Sequence, residues 1–200
     1  MFDEPLFRIV FWLIFGAMII TQIIFSTLTR TAQEVSPKGN RLSESEGIWQ
    51  TLVRVTRSII LGVFLILSAI NAPWISVFSV PFPAWLQVVG SILGLFSLMI
   101  YIWARMTIGR QWSSPLMLRD GHRLVTSGPY AHVRHPIYLA MILFTTSLTL
   151  VGASWLLIAF LIISIADLLL RIPKEEQMMI DEFGEEYLAY MQRTGSLLPR

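Results

Sequence analysis

Long apolar runs alternate along this chain with short polar, basic segments. Crossing about 30 Å of hydrocarbon at about 1.5 Å per residue takes about 20 mostly apolar residues. Ile9–Leu28 and Ala84–Met106 meet that length, and Ser58–Ala72 meets it when its helix starts a turn earlier, near Val55. The run Ile137–Ile172 is too long for one helix and breaks at Val151-Gly152-Ala153-Ser154. It divides into a tight pair, Ile137–Val151 and Ser154–Ile172. The pattern therefore predicts an all-α, polytopic integral membrane protein with five transmembrane helices. Pro73, Pro81 and Pro83 stop the second helix and start the third. Residues 29–54 form the most polar stretch, a solvated loop in which Ser43–Glu46 can cap a short interfacial helix. The opening MFDEPLFRIVFWLIF has an acidic start and no small-residue cleavage site. It reads as a retained span rather than a signal peptide.

The basic residues orient these spans. Fourteen of the fifteen Lys and Arg fall in segments 29–57 and 105–136 and in the tail from Arg171 onward. The loops around 73–83 and 151–154 hold none. By the positive-inside rule the three basic segments share the cytoplasmic face. An odd number of spans then puts the N-terminus outside and the C-terminus in the cytoplasm.

Composition narrows the chemistry. The chain is 54% hydrophobic and 14% charged, against about 25% charged in soluble domains. With no cysteine, thiolate nucleophiles, disulfides and Cys-ligated metals are excluded. A net charge of +2 gives no reason to expect a nucleic-acid partner. There is no G-x-S-x-G elbow, no G-x-G-x-x-G or Walker loop, and no H-E-x-x-H. His122, His132 and His135 lie close in sequence, but without a ligand motif no metal is expected.

Three polar pieces converge on the basic face: Gly121-His122-Arg123-Leu124-Val125, then Gly128-Pro129-Tyr130 running into Arg134-His135-Pro136-Ile137-Tyr138, then Arg171-Ile172-Pro173-Lys174-Glu175-Glu176. Pro136 suits the first turn of a helix. Arg134 and His135 then stand at a helix N-terminus, which favours an anion. An interfacial anchor with Tyr138 in the aromatic belt is the competing reading. Asp167 and Arg171, spaced i,i+4, either neutralise each other or work. Glu175 lies beside the Arg/His-rich helix start and suits a cationic group. Glu176 and Asp167 are candidate bases, and the later segment EFGEEYLAY (182–190) reads as a solvated face.

These motifs, H-x-L-V, G-x-Y, R-H-P-x-Y and R-x-x-x-E-E, occur in order with a two-span gap across residues 110–199. The chain thereby resembles the isoprenylcysteine carboxyl methyltransferase family, which is related to the membrane phospholipid methyltransferases; the short layout is similar to its prokaryotic members. The resemblance implies a methyltransferase core over 110–200, comprising a cofactor-binding loop, the helical hairpin 137–172 and a helical tail. Residues 1–109 supply three N-terminal spans. It implies S-adenosylmethionine as cofactor, held in a C-terminal, cytoplasm-facing pocket by His122, Arg123, Leu124, Val125, Tyr130, His135, Pro136, Ile137, Tyr138 and Glu175. Arg171 would face the acceptor, with Arg171 and Glu175 the catalytic pair. The implied partner is a lipophilic methyl acceptor from the bilayer, foremost a carboxylate as in isoprenylcysteine, with a lipid amine as the alternative. The implied location is a prokaryotic inner membrane. A transporter or scaffold, or a nicotinamide-dependent membrane reductase, are the competing classes. Transporters carry internal repeats, and this chain has none.

Overall fold

The computed structural model describes residues 5–30, 48–69, 73–109 and 123–200. The polar stretch 31–47 and His122 lie outside them. Among the described residues six α-helices are present: α1 (Pro5–Arg30), α2 (Ile48–Ala69), α3 (Ala84–Ile108), α4 (Pro136–Gly152), α5 (Trp155–Phe183) and α6 (Glu185–Arg193). Among the described residues there is no strand, only two isolated bridges. Three stretches are long and apolar enough to cross a membrane by length and composition: Pro5–Leu28, Ala84–Ile108 and Trp155–Phe183. Ser58–Ala69 and Pro136–Gly152 are shorter apolar helices at the other two expected positions. The chain is thus an integral, multi-pass membrane protein.

Two boundaries differ from expectation. α2 begins at Ile48, ahead of the apolar run. α5 does not end at Ile172 but runs on through Pro173 to Phe183. Proline removes one N–H and crowds the carbonyl four residues back. Pro173 is exposed at the polar end of the helix, where water can take up that carbonyl. The hairpin break falls where the sequence places it. Ala153 caps α4 in the left-handed region, with φ 43° and its N–H on Thr149 O at 3.0 Å.

α4 is the centre of the bundle, packed on α3, α1 and α5. Its contact with α3 is backbone-close. A Cβ on Gly90 would lie 2.6 Å from Leu150 Cβ, and Ser147 Oγ donates to Gly90 O at 2.6 Å. Small residues and interhelical hydroxyl bonds join helices where lipid removes the hydrophobic drive. Near the sparsely charged loops, Phe7, Phe11 and Ile14 of α1 meet Phe64 and Leu65 of α2, Leu148 and Val151 of α4, and Leu157 of α5. Outward positions such as Leu13, Ile20, Ile92 and Leu170 are exposed, as lipid-facing surface allows. The two loops without basic residues meet each other: Val80 N–H donates to Ala153 O at 2.8 Å, and Ser79 bridges Ser154. Arg8 lies at this end as well, with Nη2 donating to Ala69 O at 2.7 Å, on the last carbonyls of α2.

Candidate functional site

At the opposite end, the described segment 123–135 leads into the start of α4. Arg123 is exposed, and Leu124 and Val125 are half-buried. A 3₁₀ turn, Gly128–Ala131, follows. Gly128 takes φ +58°, and a Cβ there would sit 2.8 Å from Thr107 Oγ1, so the turn presses against α3. The turn buries Tyr130, whose hydroxyl has no hydrogen-bond partner among the described residues. Burial pushes that phenol well above its ordinary range.

Pro136 occupies the first position of α4 and His135 is its N-cap residue, as the sequence predicts. The amides expected to receive an anion are not all free. Arg134 N–H donates to Gly195 O at 2.9 Å and His135 N–H to Ser196 O at 3.0 Å. Pro136 has no N–H, and no side chain caps the helix, which leaves the amides of Ile137 and Tyr138 without an intrahelical partner. The rings of His135 and Tyr138 stack, 4° from parallel with centroids 5.5 Å apart.

α5 brings two adjacent carboxylates to this helix start. Successive residues of a helix point about 100° apart, so Glu175 and Glu176 meet different partners. Glu175 is 5% exposed. It accepts from Tyr138 Oη, and from Arg171 Nε at 2.6 Å, and its other oxygen lies 3.8 Å from His135 Nδ1. Glu176 accepts from Arg134 Nε at 2.8 Å and from His135 Nε2 at 3.2 Å. His135 therefore stands between both carboxylates. Tyr138, His135, Arg171 and Glu175, four of the residues singled out in the sequence, form one connected cluster. Pro136 and Ile137 lie in the same turn. Tyr130 is tied to α6 instead: Tyr190 Oη donates to Tyr130 O at 2.6 Å.

Sequence reasoning missed three features. The tail Thr194-Gly195-Ser196 pairs with Val133-Arg134-His135. The segment 182–190 is not simply a solvated face, because Tyr187 and Tyr190, three apart, are buried while Glu185 and Glu186 are exposed. Glu176 does not face solvent as one of an exposed acidic pair. The Y-x-x-Y spacing was the available signal for the second; a single bridge between segments 62 residues apart left none. Arg171 also makes an i,i+4 ion pair on its C-terminal side, to Glu175.

A helical bundle whose His, Tyr and Arg side chains gather round a buried Glu at one end defines a polytopic membrane protein with an ionic site at the end of its helices. The chain is similar to the isoprenylcysteine carboxyl methyltransferase (ICMT) family, whose model matches residues 90–181. That match begins earlier than the motifs read from sequence, taking in α3 from Gly90, and stops before the tail. The chain is 34% identical over 128 residues to the protein-S-isoprenylcysteine O-methyltransferase of Xenopus laevis, covering 58% of this chain and 41% of that one. It is 33% identical over 104 residues to protein-S-isoprenylcysteine O-methyltransferase B of Arabidopsis thaliana, covering 48% and 50%. The alignments thus span about half the length of these relatives. The solved structure of the eukaryotic intramembrane Ras methyltransferase ICMT shares the fold, with a TM-score of 0.62 at 21% identity, over 95% of this chain and 67% of that one.

Proposed function

We propose that this chain is an S-adenosylmethionine-dependent methyltransferase that methylates a lipophilic acceptor reaching the site from the bilayer, and that the acceptor atom is a carboxylate oxygen, as in an isoprenylcysteine. The observation that carries the reading is the buried Glu175 carboxylate held against the start of α4 by Tyr138, Arg171 and His135. The residues present fit the cofactor's charges. Glu175 is an anion for its ammonium, and the amides of Ile137 and Tyr138 suit its carboxylate. The buried Tyr130 hydroxyl, without a hydrogen-bond partner among the described residues, and the half-buried Leu124 and Val125 are the polar contact and apolar wall that this reading assigns to the cofactor.

When bound, the cofactor supplies an electrophilic methyl group; the protein supplies orientation and a site with little water. Its own residues do three things. Arg171, on the α5 turn before Glu175, can turn its guanidinium toward one acceptor oxygen and leave the other to attack. The stacked rings of His135 and Tyr138 fix the wall of the site. The apolar outer face of α5, with exposed Ile162, Leu169 and Leu170, gives a lipid chain a path along the helix to Arg171. A carboxylate acceptor needs no general base. That agrees with Glu176, whose oxygen Oε1 already takes bonds from Arg134 and His135.

The catalytic end belongs to the cytoplasmic face in this reading, because the loops without Lys or Arg meet at the other end of the bundle. Purified protein in detergent should bind S-adenosylmethionine. Membranes containing the protein should transfer a deuterated methyl group to a lipophilic carboxylate, read by mass spectrometry. Label found on a lipid amine instead would overturn the carboxylate, and no binding by the wild-type protein would overturn the methyltransferase.

A further inference from the structure

The proposed site uses His135 and Glu175 but gives no role to Arg134, Glu176 and the turn after α6. These form a second connected set. Arg134 is largely buried; its Nε donates to Glu176 and its Nη1 to Met191 O at 3.3 Å and to Thr194 O. Those carbonyls close the C-terminal end of α6, where a cation is favoured. The backbone of the same residue is held too, by Gly195 O, and that of His135 by Ser196 O. Thr194 is itself buried, with Oγ1 donating to Tyr190 O at 2.6 Å, and Tyr190 reaches back to Tyr130 O. α5, the α4 start and the tail are thus tied at a single guanidinium.

From this we infer that Arg134 and Glu176 are positioning residues, which with the tail carbonyls clamp the His135 ring against Glu175 and so set the affinity for the cofactor. The inference rests on the reading of the site proposed above. Glu176 does this directly: its carboxylate holds His135 Nε2 at 3.2 Å, and the ring's Nδ1 is thereby turned toward Glu175 at 3.8 Å. Arg134 does it at one remove, by fixing Glu176 and by holding the tail whose carbonyls bind the two amides before Pro136. Neither residue needs to touch the cofactor. The arrangement parallels the outer hydrogen bonds that orient a histidine ligand in a metal site, where their loss typically lowers affinity about 10- to 100-fold.

The test uses full-length protein in detergent with S-adenosylmethionine as the titrant. Glu176→Gln keeps the shape and loses the charge, and Arg134→Lys keeps the charge and loses the fork. Each should raise the cofactor Kd about tenfold, and Arg134→Ala further. The kcat at saturating cofactor and the acceptor KM should change less than about threefold, since the reacting groups are intact. Hydrogen exchange at the amides of Arg134 and His135 should quicken about tenfold or more in Arg134→Ala, with helix content unchanged. Wild-type Kd and exchange in these variants overturn the clamp, as does a rise in acceptor KM alone. If the wild-type protein binds no S-adenosylmethionine, the proposed activity falls on its own. The clamp is then decided by amide exchange: quickened exchange in Arg134→Ala sustains it, and wild-type exchange overturns it.

Discussion

A carboxylate taken out of water is costly unless cations and donors surround it. Glu175 has a guanidinium, a phenol and an imidazole around it. Such a group is fixed, and removing its charge is felt by everything bound to it. Glu175→Gln should weaken S-adenosylmethionine binding about 10- to 150-fold, the equivalent of about 1.5–3 kcal/mol for a charge-assisted hydrogen bond. Isothermal titration in detergent reads this directly, and unchanged binding would remove Glu175 from the site. Tyr190 gives a second residue-scale expectation. Its buried hydroxyl holds the Tyr130 carbonyl, so Tyr190→Phe should cost about 1–3 kcal/mol by leaving that carbonyl unpaired. Burial raises this phenol from 10.0 to about 12, against the lowering effect of Arg134 and Arg193. Because the folded value is the higher one, its contribution is whole below the unfolded value and is lost as pH rises through the folded value. Thermal stability measured from pH 9 to 12 should therefore fall less steeply in Tyr190→Phe than in the wild-type protein.

Among the elements, α3 and α4 are the pair that carries the site. Their closeness depends on Gly90, where even one methyl group meets Leu150 Cβ at 2.6 Å with no flexible side chain to yield. Gly90→Ala should destabilise the bundle by about 1–3 kcal/mol through overpacking, read as a lower thermal midpoint in detergent. Gly16, whose Cβ would meet nothing within 4 Å, is the matched control in α1, and Gly16→Ala should leave the midpoint near wild type. Helix positions were legible in the sequence because apolar run length and proline placement are local properties. Pro136 opens α4, and Gly152 and Ala153 end it, each for a reason confined to one turn of backbone. The reach of α5 past Pro173 was less legible. A proline near the polar end of a long helix reads as a stop, and only packing on α4 and α6 shows that the helix continues. The same limit applies within the site. R-H-P-x-Y and Glu175 stand out as polar residues beside apolar runs, whereas Glu176 differs from its neighbour only in which way the helix turns it. The tail contacts are backbone bonds, through Gly195 and Ser196, and no side-chain pattern announces them.

For the molecule as a whole, the helices alternate so that chemistry gathers at one end. Arg8, the loop 73–83 and the α4–α5 turn meet at the other. Positive charge near the ends of membrane helices is retained on the cytoplasmic side. The His135–Glu175 end should therefore face the cytoplasm, where, in the proposed function, S-adenosylmethionine would enter from water while the acceptor arrives through lipid. The chain has no cysteine, so single thiols can be introduced without background. Val77, 78% exposed at one end, and Gln192, exposed on α6 at the other, are suitable sites. In intact cells a membrane-impermeant maleimide should label Val77→Cys and leave Gln192→Cys untouched until the membrane is opened. The reverse pattern would turn the protein over and place the ionic site outside. Equal labelling of both would mean that the two ends do not lie on opposite sides, and the five-span path drawn from the apolar runs would then fail. The outcome bears on the chemistry as well, because a carboxylate kept beside Arg171 at the cytoplasmic interface reaches the methyl donor only if both ligands share that one end of the bundle.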